Sequence, residues 1–96
     1  MKLIKLVEII LKEQKNSFKP IPVDITIENG NIILRSFRIY KIDRESNTIK
    51  GLTFQEEYIH PRENREPEYC ILSFKEIKEL NCCELDINFF KENGSV

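Results

Sequence analysis

"VDITIENGNI", Val23 to Ile32, is the stretch on which the fold turns. Val23, Ile25 and Ile27 fall on alternate positions with Asp24, Thr26 and Glu28 between them, the pattern of a strand buried on one face. Asn29-Gly30 then tolerates the positive φ angles of a type I′ turn, whose twist matches the flanking strands. The stretch predicts a tight hairpin that opens a β-meander, and it carries no catalytic group.

Downstream, "IILRSFRIYKI", Ile32 to Ile42, is a long returning strand with apolar residues on both faces. A strand of that length in a small barrel must bend, and Ser36 near its middle is the expected place. "DRESN", Asp43 to Asn47, reads as a turn, and Thr48 to Phe54 as a third strand. Gly51 in that strand predicts a bulge, since an interior glycine weakens a strand that does not need it. "QEEYIHPRENREPE", Gln55 to Glu68, reads as a charged loop, too polar for core and too long for a tight turn. Loops beyond about 12 residues in compact domains tend to be functional. Tyr69 to Phe74 resumes strand character, and Ser73 to Glu76 has the S-x-x-E form of a capping box, which predicts one helical or 3₁₀ turn. In "CCELDINFF", Cys82 to Phe90, the alternation of Cys83, Leu85, Ile87 and Phe89 predicts the fifth strand.

Upstream, Leu3, Ile4, Val7, Ile10 and Leu11 recur at spacings of three and four, opposite Lys5, Glu8 and Lys12, so the N-terminal segment is an amphipathic helix. Leu6 and Ile9 widen its apolar stripe. Asn16, Ser17, Pro20 and Pro22 end it. The expected organisation is a single domain over residues 1–96, with a helix over 1–16, a β region over 21–90 and a polar tail over 91–96.

Composition narrows the function classes. At 96 residues the core is small, since folding buries only about 60–65% of the surface of so short a chain. With 41% hydrophobic and 32% charged residues the chain is an ordinary globule rather than a disordered or membrane-like one. A formal net charge of −1 leaves only a local patch for contact with nucleic-acid phosphates. No run approaches the roughly 20 apolar residues that span a bilayer, and no signal-peptide pattern is present, so the cytoplasm is the expected location. The three cysteines, Cys70, Cys82 and Cys83, make an odd count without C-x-x-C spacing. They predict buried reduced thiols rather than a disulfide framework or a metal site, and no cofactor is expected.

No catalytic constellation is expected either. His60 is the only histidine and stands beside Pro61 in the charged stretch, without a nucleophile motif around it. Glu56, Glu57, Glu63, Glu66 and Glu68 are interspersed with Arg62 and Arg65, which describes a solvated charge cluster. The three glycines are too scattered for a phosphate-cradling loop.

The order helix, four strands, helical turn, strand resembles the SH3-like small β-barrel, and the leading helix narrows the likeness to the Sm-like branch. Gly30 stands where Sm-like proteins carry the glycine between their first two long strands, and Asp43 with Asn47 matches the D-x-x-x-N spacing of that family's first motif. The resemblance implies a base-holding role for Asn47. Ser73 and Phe74 stand where the second motif has Arg-Gly. The segment "ILSFKEIKEL" is also similar to the end of WYL-type domains, which share the barrel and sit in bacterial regulators; the Trp-Tyr-Leu signature and a helix-turn-helix are missing here.

The expected fold is thus mainly β with an N-terminal α-helix, a five-stranded SH3-like/Sm-like barrel with a short helical turn between strands 4 and 5. Arg35, Arg38, Lys41 and Arg44 recur at every third position and so alternate faces. Arg38 with Tyr40, or Arg35 with Phe37, would make a small stacking site for a base, while the acidic loop nearby would repel phosphate. Small barrels leave strand edges open to neighbours, and "CCELDINFF" is a long apolar candidate for such pairing. The expected function is a non-enzymatic binding or regulatory module acting through protein contacts or self-association. The alternatives are an RNA or single-strand binder using Arg38, Tyr40, Asp43 and Asn47, and a small mobile-element factor that inhibits a host protein. The candidate binding residues are Arg35, Arg38, Tyr40, Asp43 and Asn47, together with His60, Arg62 and Arg65 of the charged stretch.

Overall fold

The alternating segments form one antiparallel sheet whose strands follow the order β4-β3-β2-β1-β5-β6. The computed structural model describes residues 2–64 and 66–91. Helix α1 covers Leu3–Lys15; β1 is Val23–Ile27, β2 Ile32–Asp43 and β3 Thr48–Leu52; helix α2 is Phe54–Glu63; β4 is Cys70–Ser73, β5 Ile77–Cys82 and β6 Ile87–Phe90. Two 3₁₀ turns, Asn29–Asn31 and Phe74–Glu76, join β1 to β2 and β4 to β5.

The closed five-stranded barrel expected from the sequence does not form; the sheet is open, has six strands, and ends at β4 and β6. Strand β5 forms before the expected fifth strand, and the stretch from Cys82 to Phe90 holds a turn and then β6. Ile77, Leu80 and Cys82 are the buried positions of β5, which pairs with β1 through Ile25 opposite Leu80. The three-residue spacing from Ile77 to Leu80 mimics a helix because one extra residue, Lys78, sits between the pairs Thr26–Glu79 and Ile27–Ile77. The chain then turns over residues 83–86, with Asp86 at a φ of 53°, and β6 returns along β5 with Ile87 opposite Cys82. Asp tolerates that left-handed conformation better than most residues. Cys83, expected on a buried strand face, is exposed in the turn.

The first hairpin also differs from a two-residue type I′ turn. Ile27 pairs with Ile32, leaving four residues between them. Glu28 is right-handed (φ −58°, ψ −41°) and only Gly30 is left-handed (φ 77°), so the turn is built around right-handed residues and closed by the glycine.

Strand β2 bends at Ser36. Its register against β1 jumps from Phe37–Val23 to Leu34–Ile25, and Ser36 takes a φ of 53°. The cost of a left-handed serine, roughly 1–2 kcal/mol, is offset in part by a hydrogen bond from its N–H to Asp24 Oδ1 at 3.0 Å. A second irregularity lies between Ile39–Gly51 and Lys41–Lys50, where Tyr40 is the extra residue. The bulge expected at Gly51 therefore belongs to the opposite strand. Gly51 is required for another reason: a β-carbon there would overlap the Arg38 carbonyl and come within 2.6 Å of the Phe37 ring.

Phe37 is fully buried among Val7 and Ile10 of α1, Val23 and Ile25 of β1, and Ile39 and Ile49 of β2 and β3. Helix α1 buries Leu3, Val7, Ile10 and Gln14, a stripe at spacings of four, three and four. Gln14 is a buried polar side chain with both ends used. Its Oε1 accepts from the Ile21 N–H at 2.6 Å and its Nε2 donates to the Lys19 carbonyl at 3.1 Å, tying the Pro-containing segment after the helix back onto it.

The charged stretch over 55–68, read as a loop, begins with helix α2. Thr53 caps it: its carbonyl accepts from the Glu57 N–H (3.1 Å) and its hydroxyl from the Glu56 N–H (3.3 Å). Glu56 and Glu57 occupy the first turn, where the helix dipole favours acids. At the S-x-x-E site, the 3₁₀ turn forms as its spacing predicts, with Lys75 N–H donating to Ser73 Oγ and Ser73 N–H to Glu76 Oε1 at 2.8 Å.

Substituting Gly51→Ala is expected to cost about 3 kcal/mol of stability, because neither the Arg38 carbonyl nor the buried Phe37 ring can yield. Gly30→Ala is expected to cost about 1 kcal/mol, since only backbone strain is involved. Urea unfolding of the two variants checks the order; equal midpoint shifts would contradict the packing argument.

Candidate functional site

The bulge in β2 sets a group of interlinked side chains on the outer surface. Phe37 and Ile39 face the core, so Arg38 lies on the opposite side, and the extra residue at Tyr40 leaves both Tyr40 and Lys41 exposed. The first turn of α2 brings Glu57 over this spot. Arg38 Nη1 lies 3.1 Å from Glu57 Oε1, and the Tyr40 hydroxyl donates to the same oxygen at 2.7 Å. The Arg38 guanidinium sits 4.8 Å from the centre of the Tyr40 ring. Tyr69, just before β4, meets Tyr40 edge-on at 5.8 Å, and Lys50 Nζ of β3 lies 4.5 Å from the Tyr69 ring centre.

Two further aromatics extend the band along α2. Phe54 and Tyr58 stack at 6.0 Å, as i, i+4 neighbours on a helix can. Together with Glu57 they face Pro20, Pro22 and Ser36 across a cleft of about 380 Å³. Phe54 is 62% exposed and Tyr58 52%, and on the other flank Ile71, opposite Lys50, is 63% exposed. Two aromatic pairs, Tyr40 with Tyr69 and Phe54 with Tyr58, thus flank the Glu57 carboxylate.

That carboxylate sets the chemistry of Tyr40. Desolvation raises the phenol first, the hydrogen bond to Glu57 and its charge raise it further, and Arg38 counteracts only in part, so its pKa is pushed up to about 12. The hydroxyl is a fixed donor and neither a base nor a nucleophile at neutral pH. Arg38 is correspondingly committed to Glu57, while its Nε is buried without an acceptor among the described residues.

Of the residues predicted from sequence, Arg38 and Tyr40 do come together. The other predicted pair, Arg35 with Phe37, does not: Phe37 is wholly buried, and Arg35 is exposed with Nη1 3.9 Å from Asp24. Asp43 and Asn47 build a turn. Asp43 Oδ1 accepts from the Glu45 N–H (3.0 Å) and the Ser46 N–H (3.3 Å), and the hydrogen bonds to Ser46 lead in holding the carboxyl below its usual range. Asn47 is left-handed (φ 55°), and its carbonyl accepts from the Phe74 N–H at 3.0 Å. The D-x-x-x-N spacing is therefore accounted for by hairpin geometry. His60 and Arg62 fall on helix α2, and Arg65 lies outside the described residues. Arg44 reaches Glu8 of α1 at 2.5 Å.

Sequence reasoning missed Glu57 as the organiser and Phe54, Tyr58, Tyr69 and Lys50 as its neighbours. The available signal was Thr53-x-x-Glu56, the same capping pattern recognised at Ser73, which starts the helix that carries Phe54, Glu57 and Tyr58. All three cysteines are free; burial pushes the Cys82 and Cys70 thiols up, and Cys83 is exposed. Among the described residues, no group of three His, Cys, Asp or Glu side chains is placed to hold a metal ion, and no helix is long and apolar enough to cross a membrane. No known protein family, curated protein or solved structure matches the chain.

Because the Tyr40 pKa in the folded state lies above its ordinary value of 10.0, the protonated phenol stabilises the fold. That contribution is complete below about pH 10 and is lost between about pH 10 and 12. Tyrosinate absorbance is expected to show a late component near pH 12 that disappears in Tyr40→Phe and moves to lower pH in Glu57→Gln. An unchanged late component in Tyr40→Phe would assign it elsewhere.

Proposed function

We propose that the chain is a non-enzymatic module that binds protein partners through the aromatic strip carried by α2 and the outer side of β2, β3 and β4. One observation carries this reading. Tyr40, Phe54, Tyr58 and Tyr69 are all exposed on adjoining elements, whereas Arg38, Arg35 and Arg44 each have an acid within 4 Å: Glu57, Asp24 and Glu8 in turn. Exposed tyrosines that are already rigid bury large area at small entropic cost and are enriched in protein interfaces. The Glu57 carboxylate supplies that rigidity to Tyr40.

The strand order β4-β3-β2-β1-β5, with a 3₁₀ turn between β4 and β5, supports taking the sheet as an SH3-like barrel that is splayed open and lengthened by β6. The fold does not by itself select a partner class. A single-strand binder would use the same aromatics, and the Lys50–Tyr69 contact favours that second reading. It also needs cations beside those aromatics to meet phosphates, and Arg38, Arg35 and Arg44 each already meet an acid.

Capture from native lysate by the immobilised chain tests the proposal. A set of proteins retained after nuclease treatment and lost with Phe54→Ser/Tyr58→Ser is the expected outcome; both positions are exposed, so the double variant should stay folded within about 1 kcal/mol. Capture abolished by nuclease, or oligonucleotide binding that weakens steeply with salt, would replace it with the nucleic-acid reading.

A further inference from the structure

A second groove, sharing no residue with the aromatic strip, lies between the start of α1, the 3₁₀ turn after β4 and strand β6. Its floor is apolar: Leu3 and Ile4 of α1, Phe74 of the turn, Ile77 of β5 and Phe89 of β6. Ile4, Phe74 and Phe89 are only half-buried there, and the space is about 500 Å³, within the range of roughly 300–1,000 Å³ typical of ligand clefts. The groove exists because β6 extends the sheet instead of closing it, which leaves Phe89 as an uncovered wall.

The rim is cationic. Lys2, Lys75 and Lys91 border the groove, and no acid among the described residues lines it. Lys91 is occupied, pairing with Glu28 at 3.0 Å and donating to the Lys75 carbonyl at 2.9 Å. Lys2 and Lys75 are exposed, and neither has an acidic partner among the described residues. Lysine stems commonly cover apolar surface, but two unpaired ammonium groups over an apolar floor, in a chain of net charge −1, form a local field that overall composition does not account for. Lys2 also caps α1, whose first turn holds no acid.

We infer that this groove takes an acidic amphipathic segment of a partner protein, its apolar side chains resting on Phe74 and Phe89 and its carboxylates meeting Lys2 and Lys75. The charge complementarity selects the occupant: a neutral apolar segment leaves the ammonium groups unmatched, and a basic one is repelled. The inference is independent of the aromatic strip.

The test uses the full chain and a fluorescein-labelled synthetic peptide with Leu and Phe at i, i+3, i+4 and i+7 and Asp or Glu elsewhere, followed by anisotropy. A second peptide carries Lys at every acidic position. The acidic peptide is expected to bind at least about tenfold more tightly than the basic one, and Lys2→Glu/Lys75→Glu to reverse that preference. Both positions are exposed, without an acidic partner among the described residues, so the variant is expected to keep its fold, with circular dichroism as the check. Phe54→Ser/Tyr58→Ser is expected to bind the acidic peptide as the natural chain does, so loss of the aromatic strip and loss of this groove read out separately. Equal affinity for both peptides, no binding of the acidic one, or no effect of the lysine reversals would overturn the inference. So would co-sedimentation with phosphatidylglycerol vesicles in the absence of peptide binding, which would assign the groove to an anionic lipid surface.

Discussion

The contact of the Phe37 ring with Gly51 is the constraint on which the rest of the structure depends. Phe37 sits between the two irregularities of β2, the left-handed Ser36 and the extra residue Tyr40, and fills the space that a side chain at position 51 would claim. Strand β2 can belong to both halves of the sheet, pairing with β1 on one stretch and β3 on the other, only because it bends there. The ring buried inside that bend shares one core cluster with residues of the helix, the first hairpin and the third strand. Remove the fit and the two halves lose the element they share.

The same distortion makes the outer surface. A regular strand would alternate in and out along β2, and Lys41 would take the inward place after Tyr40. The extra residue instead turns two consecutive side chains to solvent, and Tyr40 can then reach the carboxylate that α2 presents. Glu57 consequently serves fold and surface at once: it holds a short, polar helix against the sheet, and it fixes Arg38 and Tyr40 in one arrangement. An isolated helix of that length would be marginal in water.

Charge pairing decides how the surface is read. The arginines of β2 and its turn suggest phosphate contact when read along the chain, yet folding brings Asp24, Glu57 and Glu8 to meet them. The exposed surface beside them is aromatic, and at the other groove Lys2 and Lys75 meet no acid among the described residues.

Much of this was legible in the chain itself. The period of three and four in the first helix, the alternation in Val23–Ile27, the bend at Ser36 and the Ser73 capping box rest on nearest-neighbour geometry, and they form where their residues stand. The Thr53 cap was equally local and was obscured by the charge and prolines around it. The closure of the sheet was not legible, because Ile77 and Leu80 have helical spacing until a bulge against β1 is known, and Cys83 to Phe89 alternate like a single strand until Asp86 reverses the chain. The partnership of Glu57 with Arg38 and Tyr40 joins residues far apart in the chain. Local pattern is set by dihedral preference and side-chain period, whereas register, closure and long-range ion pairing depend on which strand lies alongside, and that only the packed whole decides.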